Sequence, residues 1–193
     1  MQQEKDIVET VRTALGTRSL VLVGLMGCGK SSIGRRLATR LALPFIDADE
    51  EIERVARKSI SEIFNDHGEA FFRDREAKVI ARLLSGGPQV LATGGGAFMT
   101  EETRAQIREA GISIWLRAEL PVLMRRVGKR DTRPLLKDTD PEAVMRRLMD
   151  ARYPVYAEAD ITVESRDVPH EAIVSEIVNA LTRHPALAQT PPI

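Results

Sequence analysis

The residues whose types and spacing could do chemistry begin at Gly24, where the chain reads Gly24-Leu25-Met26-Gly27-Cys28-Gly29-Lys30-Ser31. Two glycines with four residues between them, followed by Lys and Ser, have the spacing of a phosphate-binding loop, provided that a strand precedes them and a helix follows. Both conditions are met: Leu20 to Val23 is an apolar run, and Ser32 to Leu41 has helical periodicity. Glycines let the backbone wrap round phosphates with its amide hydrogens pointing inward, and the helix that follows adds its positive end. Lys30 can reach the β- and γ-phosphates of ATP, while the Ser31 hydroxyl can ligate Mg²⁺. Gly27, Cys28, Gly29, Lys30, Ser31 and Ser32 are therefore the expected ATP contacts. Cys28 reads as a small side chain tolerated in the loop; a redox role is the alternative.

Phosphate-loop enzymes need a carboxylate near the metal. The third apolar run ends in Thr93-Gly94-Gly95-Gly96 and offers none, so the acid must come from the second, which ends in Asp47-Ala48-Asp49. On an extended chain both side chains would point the same way, roughly 7 Å apart. One can serve the metal and the other can face an acceptor hydroxyl as base or orienting group. Helix capping is the competing reading, since Glu50 follows Asp47 by three residues.

Arg73 and Glu76 lie three apart on a helix expected to begin near Glu69, so they share a face, and Glu76 can hold the guanidinium fork ready for a carboxylate. Read without the rest of the sequence, they are an ordinary surface ion pair. Three successive glycines after a strand cost stability and are useful where a ligand approaches the backbone closely. The run from Arg125 to Pro134 gathers Arg125, Arg126, Lys129, Arg130 and Arg133 around a glycine and a proline. It reads either as a solvated face or as a lid, at about 125–136, that closes over ATP and stabilises transition-state charge. Arg152 is a further candidate for binding an anion. Leu84-Ser85-Gly86-Gly87 echoes a transporter ATPase signature, but Pro88 and a strand follow directly, so it reads as a helix end and loop.

These loops need elements to position them. Five short apolar runs, at Leu20 to Val23, Phe45 to Ile46, Val90 to Ala92, Ile112 to Leu116 and Ile161 to Val163, are separated by segments of helical periodicity. That alternation predicts α/β architecture with a parallel sheet, whose ligands bind beyond the carboxyl ends of the strands. A chain of 193 residues, 43% hydrophobic, suits one domain. Residues 1–18 read as an extension carrying a short amphipathic helix, and the proline-bearing tail 184–193 as disordered. Lys plus Arg and Asp plus Glu number 28 each, so no global field draws the chain to nucleic acid or anionic lipid. One cysteine excludes an intrachain disulfide framework, and no apolar run approaches the roughly 18 residues that span a bilayer. The expectation is a soluble, cytoplasmic protein without nucleic-acid or membrane partners.

Taken together the motifs resemble those of the shikimate kinases, from about Ser19 to Leu181. The matching elements are the loop through Ser31, Asp47-Ala48-Asp49, Gly68-Glu69 leading to Phe72-Arg73 and Glu76, Gly94-Gly95-Gly96, Arg133-Pro134-Leu135-Leu136, and Arg152 with Pro154 and Tyr156. The resemblance implies a three-layer α/β/α phosphate-loop NTPase fold of the nucleoside monophosphate kinase type. Its single kinase domain, at 19–183, would hold a five-stranded parallel sheet in the order 2-3-1-4-5 and a mobile lid. It also implies a monomeric enzyme that uses ATP and Mg²⁺ to phosphorylate shikimate. Ser31 and Asp47 would bind the metal, Asp49 would contact the reacting hydroxyl, and Arg73 and Arg152 would grip the shikimate carboxylate, with Gly95 against the ring and Gly94 and Gly96 as further substrate contacts. Lys30 and Arg133 would act on the phosphates, while Arg126 and the loop from Arg166 to Pro169 would flank the adenine. Two other functions remain open to the sequence: a kinase of the same fold acting on gluconate or a nucleotide, and a nucleotide-gated binding module.

Overall fold

A computed structural model describes residues 2–128 and 140–188. Its centre is a parallel sheet in the order β2-β3-β1-β4-β5, formed by Ser19–Val23 (β1), Phe45–Asp47 (β2), Val90–Ala92 (β3), Gly111–Arg117 (β4) and Ile161–Glu164 (β5). β1 and β3 are buried along their whole length, as central strands covered on both faces must be. This is the order expected for the phosphate-loop fold. It puts the point where the strand order reverses beside β1, so that loops after β1, β2 and β3 open into one crevice.

Helices cover both faces. Lys30–Leu41 (α2) buries Ile33, Leu37, Ala38 and Leu41, a stripe at three- and four-residue spacing that faces the sheet. His170–Arg183 (α8) packs beside it through Ile173, Val174, Ile177, Val178 and Leu181. Gln2–Leu15 (α1) adds Val11 and Leu15 to the same core, so the N-terminal segment is an integral layer of the fold. The tail departs from its expected disorder over the part described. Pro185–Ala188 (α9) form one helical turn, Leu187 is buried, and the Ala186 carbonyl accepts from Arg18 Nη2 at 2.9 Å. Proline at the first helical position supplies the start that the composition concealed.

Ala48–Ala56 (α3) and Ile60–Leu84 (α4) form a smaller unit at the β2 edge, with a core of its own in Ile52, Ile63 and Phe72. A capping box between Ser59 and Glu62 starts α4, and Gly68, at φ 81° and ψ 173°, breaks it. The Arg73 segment is thus the second limb of a kinked helix that begins a full limb earlier than Glu69. Glu51 on α3 accepts from Arg54 at 2.7 Å and from Arg82 on α4 at 2.5 Å, tying the two helices together. Glu101–Ala110 (α5), Leu120–Val127 (α6) and Pro141–Tyr156 (α7) complete the fold.

Candidate active site

Gly29 sits at φ 99°, a conformation that L side chains seldom adopt, and hands the chain directly to α2 at Lys30. Lys30 Nζ curls back over the loop and donates to the carbonyls of Gly24, at 2.7 Å, and Leu25, at 3.0 Å. The Ser31 hydroxyl donates to Asp47 Oδ2 at 2.6 Å, which places a hydroxyl oxygen and a carboxylate side by side at the strand ends. Cys28 is buried in the loop, and Ser32 accepts Arg36 Nη1 on its carbonyl at 3.0 Å.

The aspartates reach the site by a different geometry from the one expected. β2 ends at Asp47 and α3 begins at Ala48, so Asp49 stands in the first turn of a helix rather than two residues along an extended chain. Asp47 caps that helix, accepting the Asp49 N–H on Oδ1 at 3.1 Å, while its other oxygen takes Ser31. One carboxylate therefore both caps the helix and holds the Ser31 hydroxyl. Glu50 turns outward to Arg35 and closes no reciprocal capping box. Burial pushes the Asp49 carboxyl above its usual range, and the Asp47 charge adds to this, while Lys30 and Arg73 pull it down.

The three glycines after β3 are explained by crowding. An added Cβ at Gly94 would lie 2.6 Å from Glu76 Oε1 and 2.7 Å from Asp49 Oδ1, so both carboxylates press on that backbone. At Gly96 it would fall on the Arg73 guanidinium, 2.5 Å from Cζ. At Gly95 it would sit 3.5 Å from Arg152 Nη1, 3.7 Å from the Gly24 carbonyl and 3.8 Å from the Met26 N–H nitrogen, placing Gly95 between the phosphate loop and Arg152. Arg73 Nη1 donates to Glu76 Oε2 at 2.5 Å. Glu76 is buried and its Oε1 has no protein partner. Burial raises its carboxyl, while the charge and hydrogen bond of Arg73 oppose the rise. Arg152 Nη1 donates to the Gly95 carbonyl at 2.9 Å, and the Tyr156 hydroxyl donates to the same oxygen. Tyr156 is fully buried among Phe98, Trp115 and Tyr153. Its position one helical turn after Arg152 is the signal that places it on the same face.

Arg126 reaches from α6 to the phosphate loop, with Nη1 2.9 Å from Ser165 Oγ and 3.4 Å from the Gly27 carbonyl, and Nη2 2.6 Å from the Arg166 carbonyl. The Arg166 side chain itself pairs with Glu176 on α8, so that loop presents its main chain to Arg126. Arg133 and the rest of the expected lid from 129 lie outside the described residues. Sequence reasoning did not single out Ser165, whose partner in the loop lies 137 residues earlier.

A sheet of this order, with a lysine-bearing glycine loop after β1 and carboxylates after β2, defines a phosphate-loop kinase of small molecules. The sequence model of the family described as "Shikimate kinase" matches residues 26–182. The shikimate kinase of Rhodopseudomonas palustris is 60% identical over 190 residues, covering 98% of this chain and 91% of its own length. That of Bradyrhizobium diazoefficiens is 61% identical over 181 residues, covering 94% and 86%. Among solved structures, a shikimate kinase from Acinetobacter baumannii in complex with shikimate is 35% identical, with a TM-score of 0.84 over 90% of this chain and 98% of its own. A gluconokinase from Sinorhizobium meliloti, 22% identical with a TM-score of 0.57, shares the fold alone. The chain belongs to the shikimate kinase family, and its reaction is the transfer of a phosphoryl group from ATP to shikimate. No helix among the described residues is long and apolar enough to cross a membrane.

Proposed function

We propose that this chain carries out that transfer, to the 3-hydroxyl of shikimate, with the phosphate loop holding ATP, Asp49 facing the acceptor hydroxyl, and Arg73 and Arg152 gripping the acceptor carboxylate. The observation that carries the reading is the position of Gly95, against the phosphate loop on one side and Arg152 on the other. Donor and acceptor sites thereby share a wall, and a small carboxylate held by the arginines can present its hydroxyl to the γ-phosphate. A nucleotide acceptor has no carboxylate to offer these arginines; gluconate has one, and the 60% identity to a shikimate kinase argues against it.

Ser31 and Asp47 fit a magnesium ion, which prefers oxygen ligands and takes one or two carboxylates together with substrate phosphates. Among the described residues no group of three or more acidic, histidine or cysteine side chains could hold a metal. When bound, Mg²⁺ would neutralise charge on the β- and γ-phosphates. The chain's own residues do the rest. Lys30 holds the phosphate oxygens and stabilises charge as the bond between the γ-phosphorus and the ADP oxygen breaks. The shikimate oxygen forms the new bond to phosphorus, and its proton passes to the Asp49 carboxylate. Such transfer demands little deprotonation early, so orientation of the hydroxyl counts as much as basicity. All these residues come from one chain, which supports a competent monomer, and dependence on ATP supports a cytoplasmic setting.

The test is ATP-dependent transfer to a panel of hydroxy acids, run with Asp47→Asn and Asp49→Asn across a Mg²⁺ titration. Shikimate should be the preferred acceptor. Asp49→Asn should lower kcat by about 10² to 10⁴ at any Mg²⁺ concentration. Asp47→Asn keeps the helix cap but weakens the metal site, so added Mg²⁺ should restore part of its activity. Faster turnover of another acceptor would overturn the substrate assignment, and rescue of Asp49→Asn alone would exchange the two roles.

A further inference from the structure

The residue immediately after β5 is Ser165, buried at 1% exposure. Its hydroxyl donates to the Cys28 carbonyl in the phosphate loop at 2.7 Å and accepts Arg126 Nη1 at 2.9 Å, while its N–H donates to the Arg117 carbonyl at 2.6 Å. The backbone of β4 thus anchors Ser165, and its side chain bridges α6 to the loop. A hydroxyl carries one proton. Here that proton goes to Cys28, and the positive guanidinium on the oxygen's other side polarises the O–H and strengthens the bond it donates.

The consequence lies one peptide bond away. In a trans peptide the C=O and the following N–H point to opposite sides. Holding the Cys28 carbonyl on Ser165 therefore turns the Gly29 N–H away from Ser165. At Gly29 no local preference would do this unaided, because φ of 99° is open to glycine without penalty. Arg126 Nη1 also donates to the same Cys28 carbonyl, but at 3.5 Å, a much weaker hold than the hydroxyl's at 2.7 Å. We infer that Ser165 is a positioning residue for ATP, fixing the peptide that presents the Gly29 N–H to the phosphates and holding Arg126 beside the loop. The inference rests on the phosphate-loop reading above and adds to it a residue 137 positions away from the loop.

Ser165→Ala removes both contacts of the hydroxyl. The loss of one buried hydrogen bond predicts about a tenfold rise in KM for ATP. KM for shikimate should stay within about twofold, since the acceptor contacts come from other elements. The decisive pair is Ser165→Thr against Ser165→Val. They have the same shape and crowd the site equally, so a difference between them reports the hydroxyl alone. Threonine should bind ATP at least about fivefold more tightly than valine, measured by equilibrium titration of the folded proteins below their melting temperatures. Equal ATP affinity for threonine and valine, or equal rises in both KM values for Ser165→Ala, would overturn the inference. Lys30→Ala is measured alongside. If it too leaves ATP affinity unchanged, the phosphate-loop reading itself falls; if it abolishes binding while the Ser165 variants do not differ, only the role of Ser165 falls.

Discussion

Gly96→Ala isolates the acceptor site from the fold. Gly96 lies at φ −103° and ψ −12°, a region open to any residue, so alanine adds no backbone strain. What opposes it is the Arg73 guanidinium, 2.5 Å from the new Cβ at Cζ and 2.6 Å at Nη1, well inside the separation of about 3.5 Å at which carbon atoms attract. The guanidinium is the end of a flexible side chain and will move. It cannot do so while keeping its 2.5 Å bond to Glu76, because Nη1 is both the donor and one of the crowded atoms. A hydrogen bond between charged groups contributes about 1.5–3 kcal/mol. If the displaced fork loses one such bond to the shikimate carboxylate, KM for shikimate rises about 10- to 100-fold. KM for ATP should change by less than about twofold. Initial rates of ADP release, titrating shikimate at saturating ATP, give the first value, and thermal melting confirms the fold. The same substitution on an Arg73→Ala background should add nothing, since its effect passes through Arg73. A folded Gly96→Ala enzyme with unchanged KM for shikimate, or additive effects in the double variant, would refute the reasoning.

Arg152→Lys should raise KM for shikimate and spare that for ATP, because a point charge cannot both hold the Gly95 carbonyl and fork onto a planar carboxylate; a selective rise for ATP would show that the acceptor site is misplaced. Glu51 gives the pH prediction. Hydrogen bonds from Arg54, and then Arg82, hold its carboxyl down to about 2 from an ordinary 4.5. A depressed folded-state value means stability that is fully present above pH 4.5 and lost as pH falls towards about 2. The melting difference between wild type and Glu51→Gln should therefore shrink across that interval, and a constant difference would reject the α3–α4 tie as its cause.

The fold was legible because its signals are local. Apolar runs such as Leu20 to Val23 and Val90 to Ala92 become fully buried strands, and the loop from Gly24 to Ser31 connects a strand to a helix as its glycines require. Asp47 and Asp49 were legible as a pair but not in their geometry. A strand three residues long turns into a helix within one residue, and a spacing of two reads alike for both. α1 was legible as an amphipathic helix but not as a layer of the core, and α9, four residues long, is too short to show a period. Contacts made across the chain left the least trace: Ser165 meets Cys28, and Tyr156 meets Gly95, only because β5 and α7 return to the crevice. For Tyr156 the spacing of four from Arg152 hints at such a meeting; for Ser165 no pattern in the neighbouring sequence records it.

Lys30 rests on the carbonyls of Gly24 and Leu25, and Arg152 on that of Gly95. These acceptors are uncharged. An ionised oxygen bonds a cation roughly twice as strongly as a neutral one does. A phosphate or carboxylate that replaces these carbonyls therefore gains at every exchange, whereas a neutral hydroxyl or amide only matches what it displaces. The main chain thus sets a threshold that anions cross and neutral metabolites do not, and discrimination by charge begins before any contact specific to the substrate has formed.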